Sequence, residues 1–415
     1  MTDLRQLLTD IGERAGSYDV TERALTITRR RRRRRAAVGT TAAALAVAAI
    51  ATWSLWPGAP GSAPDPAVSP SAGPSLPTSC TLGSLPLPDG ATYGVVYQVD
   101  PTGRYAVGGT DVDAKKYDRD LLFWDGDAVR RLSLPGRLQY FHDVNSAGTA
   151  LASAVIDGKE SAWVYRDGEF TRLDGEAFAS DLNESGVIAG TISSGPDGPG
   201  GQPVRWRTPD SPMELLPLPP GDWRHGVLVR GIDDDGTIVM GGYENSARDQ
   251  MAYALRPDGS WQELTPTIDG VTGRNVSVYA IRGGWVVGQV LLPDGTGQRG
   301  SGITGVLWNL RTGKAQSLGR SGPPTVVNAQ GWTVHETEPV FGPRRQTLTP
   351  APTPVGSLWL LSPAGDRTAV PAPAGETPWH VQVYSLSDDG RVLVGLRQLS
   401  EPYGQDHVPV RWRCS

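Results

Sequence analysis

Across 415 residues the chain carries 52 glycines and 13 tryptophans but only five phenylalanines. No long apolar helical periodicity follows residue 56, which excludes a helical bundle and favours many short strands joined by tight turns. The net charge of −5 is unevenly spread: residues 1–35 hold ten arginines against five acids, so the remainder carries −10, which excludes general nucleic-acid binding by the larger part.

Residues 1–35 form a basic tail. Leu4, Leu7, Leu8, Ile11 and Ala15 recur at helical spacing and give one apolar face, and Asp19 with Glu22 resembles a capping box opening a second short helix. The amphipathic face suits either the anionic inner leaflet or a cytoplasmic partner docking on residues 1–28. Residues 36–56 contain no charge, and a helix of that length spans about 31 Å, the thickness of a bilayer's hydrocarbon core. Seven arginines precede the run, and Trp53 and Trp56 lie at its far end. The expectation is one transmembrane helix with the N-terminus cytoplasmic and the C-terminal domain extracytoplasmic. A cleaved signal peptide is the alternative, although the charged region and the apolar run are both longer than usual for one. Residues 57–79 are almost wholly Pro, Ala, Ser and Gly, a linker reaching about 25 Å when coiled and about 70 Å when extended.

From residue 80 onward a turn recurs: an apolar residue, a polar pair or triplet, then Gly. It appears as Val99-Asp-Pro-Thr-Gly103, Val144-Asn-Ser-Ala-Gly148, Leu182-Asn-Glu-Ser-Gly186, Ile232-Asp-Asp-Asp-Gly236, Val327-Asn-Ala-Gln-Gly331 and Leu386-Ser-Asp-Asp-Gly390, with a shortened copy at Ile281-Arg-Gly-Gly284. Asn and Asp bond their own backbone in such turns, and Gly supplies positive φ. Each turn leads into a β-rich run and then a strand bearing Trp124, Tyr165, Trp206, Tyr253, Trp308, Trp359 or Trp412. Residues 80–415 divide into seven such units of 48 residues on average. The prediction is an all-β, seven-bladed β-propeller with four-stranded blades.

These turn, strand-end and aromatic-strand motifs resemble the bacterial extracellular HAF repeats, themselves related in form to WD-repeat-like propellers. The His-Ala-Phe triplet that names that family is degraded here to Ser161-Ala162-Trp163 and Met251-Ala252-Tyr253. The resemblance implies the fold and no particular activity.

Ring closure follows from the repeat. Val410-Arg-Trp-Arg-Cys414 copies Val204-Arg-Trp-Arg-Thr208, and Cys80 through Leu85-Pro-Leu-Pro-Asp-Gly90 copies Ser211 through Leu216-Pro-Leu-Pro-Pro-Gly221. Superposed, Cys80 and Cys414 occupy the two ends of one four-residue turn, within disulfide reach. The last blade is therefore expected to take its outer strand from residues 80–87 and to be clasped by a Cys80–Cys414 bridge, which requires an oxidising compartment.

No catalytic signature, metal-ligand spacing or cofactor motif is present: the five histidines are scattered, and Asp233-Asp234-Asp235-Gly236 fills an ordinary turn slot. Connections between the first and second and the third and fourth strands of each repeat are tight. The others, emerging on the opposite face, are long and varied. Long loops on a rigid scaffold usually carry binding. The expected recognition face includes Tyr140, Trp223, His225, Arg344, Arg345, Trp379 and His380, although the tryptophans could equally cover sheet edges. The function expected is a non-catalytic, membrane-anchored binding module for an extracytoplasmic protein or glycan. The alternative is a propeller-fold glycan hydrolase or lyase, which would need clustered carboxylates in the central channel.

Overall fold

The computed structural model describes residues 74–113, 118–192, 201–223, 226–243, 250–293, 302–319, 324–336, 358–372, 381–399 and 407–415. The expected tail (1–35), membrane span (36–56) and most of the linker (57–79) lie outside these residues, as do His225, Arg344, Arg345, Trp379 and His380.

Strands that alternate buried and open positions need two apolar neighbours, one on each face, and a ring of sheets supplies both. The first blade runs from an inner strand a (Val95–Val99) through b (Tyr105–Asp113) and c (Asp118–Asp125) to an outer strand d (Ala128–Leu132), all antiparallel neighbours. Six blades have this four-stranded order. In the sixth blade, strands Thr333–Glu336, Leu358–Leu361 and Arg367–Val370 form the sheet, with an isolated bridge from Val327 to Thr333 at its inner edge. The predicted seven blades are thus found. A two-stranded hairpin, Thr267–Ile268 with Val271–Thr272, is added between blades 4 and 5.

Apolar burial is concentrated between blades. The described residues form seven apolar clusters, one at each seam. Phe123 of blade 1 meets Phe141 of blade 2, for example, and Val278 of blade 5 meets Val239 of blade 4. The aromatic strand c explains much of this. Trp124, Trp206, Trp308 and Trp412 are almost wholly buried. Each indole Nε1 donates to the carbonyl of a residue just past strand d of the preceding blade: Pro86, Asp174, Thr265 and Pro371, at 2.8–3.0 Å. A large ring fills the seam while its one polar atom is satisfied, as a buried indole requires.

The last blade is closed by both ends of the domain. Strand Cys80–Ser84 pairs antiparallel with His407–Cys414 in the register Cys80↔Cys414 to Ser84↔Val410, outside Val392–Gln398 and the inner Val381–Leu386. The two cysteines are bonded, with Cα atoms 4.0 Å apart. The Cys414 N–H is used on the opposite side, donating to Arg391 (2.7 Å), so the cysteines face each other as a non-hydrogen-bonded pair, the closest spacing an antiparallel ladder offers. The final residues of the expected linker also belong to this blade. Leu76 packs on the blade 6–7 cluster, Pro77 is buried with its carbonyl accepting from the Thr368 hydroxyl, and the Thr78 N–H donates to the Ser415 carbonyl (2.7 Å).

Because the bridge ties residues 334 apart, replacing both cysteines by serine should cost about 2–5 kcal/mol. Thermal melts with and without reductant check this: the native chain's melting temperature should fall on reduction, and the double variant's should not respond.

Candidate functional site

The inner strands do not alternate simply. In blades 1–5 and 7 the register slips by one residue near the same place, between Val96 and Gln98, Phe141 and Asp143, Ala179 and Asp181, Val229 and Gly231, Val278 and Ala280, and Val383 and Ser385. A bulge leaves two successive residues against one partner and re-aims their side chains. Two consecutive positions, rather than one, therefore stand between the buried residues on either side. Tyr97-Gln98 and His142-Asp143 are examples. These bulges build the wall of the central channel, a cavity of about 160 Å³ touched by the inner strands of all seven blades.

At the tight-turn mouth of the channel the first polar residue of several turns links the blades. The Asn145 carbonyl oxygen Oδ1 accepts from the Thr149 N–H of its own turn (3.1 Å), while its Nδ2 donates to the Asn183 backbone carbonyl of the next blade (3.3 Å). Asn183 does the same with Val187 and Asp233 (2.9 and 3.1 Å), and Asn328 with Trp332 and Ser387 (2.9 and 3.1 Å). At blade 4 the residue is Asp233, an acceptor only. The next blade answers with donors, the N–H groups of Gly283 (2.7 Å) and Gly284 (2.6 Å). Both glycines have positive φ (59° and 77°), as a two-residue turn joining Arg282 to Trp285 demands.

Arg282 occupies the same slot in blade 5. Its guanidinium reaches Asp388 of blade 7 (2.9 Å), Asp234 of blade 4 (3.0 Å) and Glu184 of blade 3 (3.8 Å). Burial works against its charge, yet the bond to Asp388 and the surrounding acids hold its pKa above the ordinary value. One cation thus offsets part of the charge of three acids at the mouth and ties four blades.

Deeper in the wall, Asp143 of blade 2 and Asp181 of blade 3 are hydrogen-bonded to each other. Asp143 Oδ2 accepts from the Leu182 N–H (3.2 Å) and Asp181 Oδ2 from the Ile232 N–H (2.8 Å), each crossing to the next blade. Loss of solvation, and then the neighbouring Asp181, hold the Asp143 carboxyl well above the usual carboxylate range; loss of solvation also raises Asp181. Each carboxyl therefore favours its protonated form more than a free carboxyl does. Among the described residues no group of three or more potential ligands could hold a metal ion.

Of the sequence-predicted face, Tyr140 sits on the inner strand Arg137–Val144, half-buried, with its ring 4.2 Å from Tyr97 and 5.0 Å from His142. Trp223 is 5% exposed and lies in the blade 3–4 cluster, where its indole donates to the Pro219 carbonyl (2.8 Å) and meets Tyr253 edge-on. Its ring covers the sheet edge, which is the second of the two expectations. Tyr140 and Trp223 are not brought together. Sequence reasoning missed Asp143, Asp181 and Arg282. The signal for Arg282 was its departure from the Asn/Asp turn slot. Nothing local marks the two acids as partners.

The titrating groups make stability depend on pH in two opposed ways. The native state keeps a proton on the Asp143–Asp181 pair that the unfolded chain releases near the usual carboxylate pKa of about 4. Stability should therefore fall as pH rises from there through the raised native value. Burial pushes His142 down to about 3 and His335 to about 4. Unfolded histidine protonates near pH 6.5, so stability should fall as pH drops from about 6.5 toward 4. Urea unfolding across a pH series checks both limbs. Asp143→Asn, which mimics the protonated acid, should flatten the high-pH limb and leave the low-pH limb in place.

No protein-family model matches the chain, and no curated protein matches it by sequence. Solved propellers do match by shape. An oligogalacturonate lyase in complex with manganese aligns at 12% identity over 83% of this chain and 98% of its own, with a TM-score of 0.47. A putative TolB from Agrobacterium tumefaciens aligns at 11% identity over 59% and 89%, with a TM-score of 0.38. Prolyl oligopeptidase B from Galerina marginata aligns at 7% identity over 74% of this chain and 48% of its own, with a TM-score of 0.48. At such identities the likeness is one of fold alone, and the resemblance to HAF repeats rests on the turn and aromatic-strand motifs.

Proposed function

We propose that the chain is a non-catalytic binding module, tethered to a membrane by residues 36–56 with its propeller outside the cytoplasm, and that it recognises its ligand on the long-loop face. The observation that carries this reading is the distribution of exposed large apolar side chains. Tyr93 (37% exposed) precedes an inner strand, and Leu138 (46%) and Leu228 (48%) lie near the start of one. Tyr243 (47%) ends a second strand, and Leu399 (50%) follows one. These five, of the nine exposed large apolar side chains among the described residues, belong to the end of the blades from which the long connections emerge, while Leu215 (66%) lies on an outer strand; exposed apolar groups concentrated on one side favour an interaction surface. Cys80 opens strand d of blade 7 at the opposite, tight-turn end. The disulfide supports an oxidising compartment. Residues 1–28, ahead of the arginine run, would remain available to a cytoplasmic partner.

Photo-crosslinkers at Leu228 and Tyr243 of the full chain in native membranes test this. They should give adducts that crosslinkers at Asp167 and Asp258, in the tight turns between strands c and d, do not. Adducts from the turns alone, or from none of the four, would sink the proposal.

The second reading, a glycan hydrolase or lyase, has one observation in its favour: the hydrogen-bonded Asp143–Asp181 pair in the channel. Two features weigh against it. Carboxyls in hydrogen-bonding contact are closer than the 5 Å or more that glycoside hydrolysis uses. The lumen, about 160 Å³, is also smaller than the roughly 300–1,000 Å³ of ordinary ligand pockets. Turnover of a polysaccharide panel that disappears in Asp181→Asn, while the fold persists, would install this reading in place of the first.

A further inference from the structure

On the long-loop face, a cleft of about 290 Å³ opens at the seam between blades 7 and 1. Strand register explains its walls. On blade 7, Gln382 stands opposite Leu396 and Gln398 opposite His407, and residues 396 and 398 share one side of their strand. These four therefore face the cleft together. On blade 1, Tyr97 is the bulged residue of the inner strand, and its hydroxyl accepts from the Arg119 guanidinium (3.2 Å). Tyr384, the bulged residue of blade 7, closes the inner side, its hydroxyl donating to Gln382 Oε1 (2.8 Å). Tyr93 forms the outer lip. Its backbone is fixed from both sides: the Thr110 hydroxyl donates to the Tyr93 carbonyl (2.5 Å), and the Gly94 N–H donates to the His407 carbonyl (2.9 Å). Gly94 and Gly109 keep the floor at backbone level. A Cβ on Gly94 would stand 2.8 Å from Leu87, so the close approach of the two blades depends on its absence.

We infer that this cleft binds a neutral pyranose ring, the terminal sugar of a glycan. The inference rests on the binding-module reading and names its ligand class. Three tyrosines border a space the size of one or two sugar rings. The Tyr93 ring, 37% exposed at the lip, offers a surface for the apolar C–H face of a pyranose, while the Tyr97 and Tyr384 hydroxyls, held by Arg119 and Gln382, fix the inner side of the cleft. Two carboxamides and an imidazole at the rim present donors and acceptors side by side, the pattern that adjacent hydroxyls require. The lining holds no carboxylate and no lysine, and its one arginine is engaged with Tyr97, which disfavours a cationic or phosphorylated ligand.

The test uses full-length protein and saturation-transfer NMR with the methyl glycosides of glucose, galactose, mannose and N-acetylglucosamine and their β-linked disaccharides. At least one should receive saturation at its ring C–H protons. Its affinity should fall tenfold or more in Tyr93→Ala and in Tyr93→Leu, the second keeping apolar bulk without the ring, and should be unchanged in Asp258→Asn, in a tight turn on the opposite face. No transfer to any probe from folded protein, or equal binding in the Tyr93 variants, overturns the inference. If Leu228 and Tyr243 crosslinkers still capture partners in that case, the sugar assignment falls and the binding-module reading stands.

Discussion

Closing the ring is the constraint on which the rest depends. A propeller blade has two apolar faces and no inside of its own, so each of the seven seams must be filled, and one unfilled seam would expose two faces at once. The chain meets this by lending residues 80–84 to the last blade, where five register pairs and the Cys80–Cys414 bond hold the outer strand against His407–Cys414. The clusters on either side include Leu82, Leu85, Val394 and Trp412, drawn from both ends of the domain. Without that strand the blade 6–7 and 7–1 seams would both lose a wall. The channel, the mouth and the long-loop face exist only because the circle is complete.

The repeated turn is more than a way of reversing the chain. Its Asn side chain accepts from its own turn and donates to the next, so the amide is spent twice, once on local geometry and once on the joint. Departures from Asn follow from what the neighbour offers. Asp233 stands where the next blade presents two N–H groups, and Arg282 where three acids converge across the mouth. Asp143 and Asp181 extend the same logic one layer deeper, each accepting a strand N–H from the following blade at the cost of a carboxyl that favours its protonated form. The polar interior reads as a set of inter-blade joints, each with its donor and acceptor counted.

The architecture was legible because its signals are local and repeated. Turn glycines, aromatic strands and the echo of Val204-Arg-Trp-Arg in Val410-Arg-Trp-Arg carry blade number, strand order and the disulfide. The site was legible only in part. A one-residue bulge breaks the period of two, so nothing in the pattern around Tyr97-Gln98 or His142-Asp143 reveals that both residues leave the core. The meeting of Asp143 with Asp181 depends on the curvature of the ring. Trp223 sits in a connection and so reads as surface, yet the chain folds it back into the blade 3–4 seam, where Pro219 satisfies its indole. The end of the linker misled for the opposite reason: its composition is that of a flexible segment, but Leu76 and Pro77 find a groove beside Thr368.

The two faces of the ring consequently have different chemical character. At the tight-turn face, Arg282 and backbone N–H groups offset part of the acidic charge. At the other face the blades are joined as well, the Gly94 N–H to the His407 carbonyl and the Val229 N–H to the Thr191 hydroxyl for example, but several large apolar side chains stand exposed there. Those strand ends hold their positions because the seams beneath them are packed and the circle is covalently closed, so a partner meeting them would lose little free energy in ordering the surface. Closure at blade 7 thus holds both ends of the strands in place.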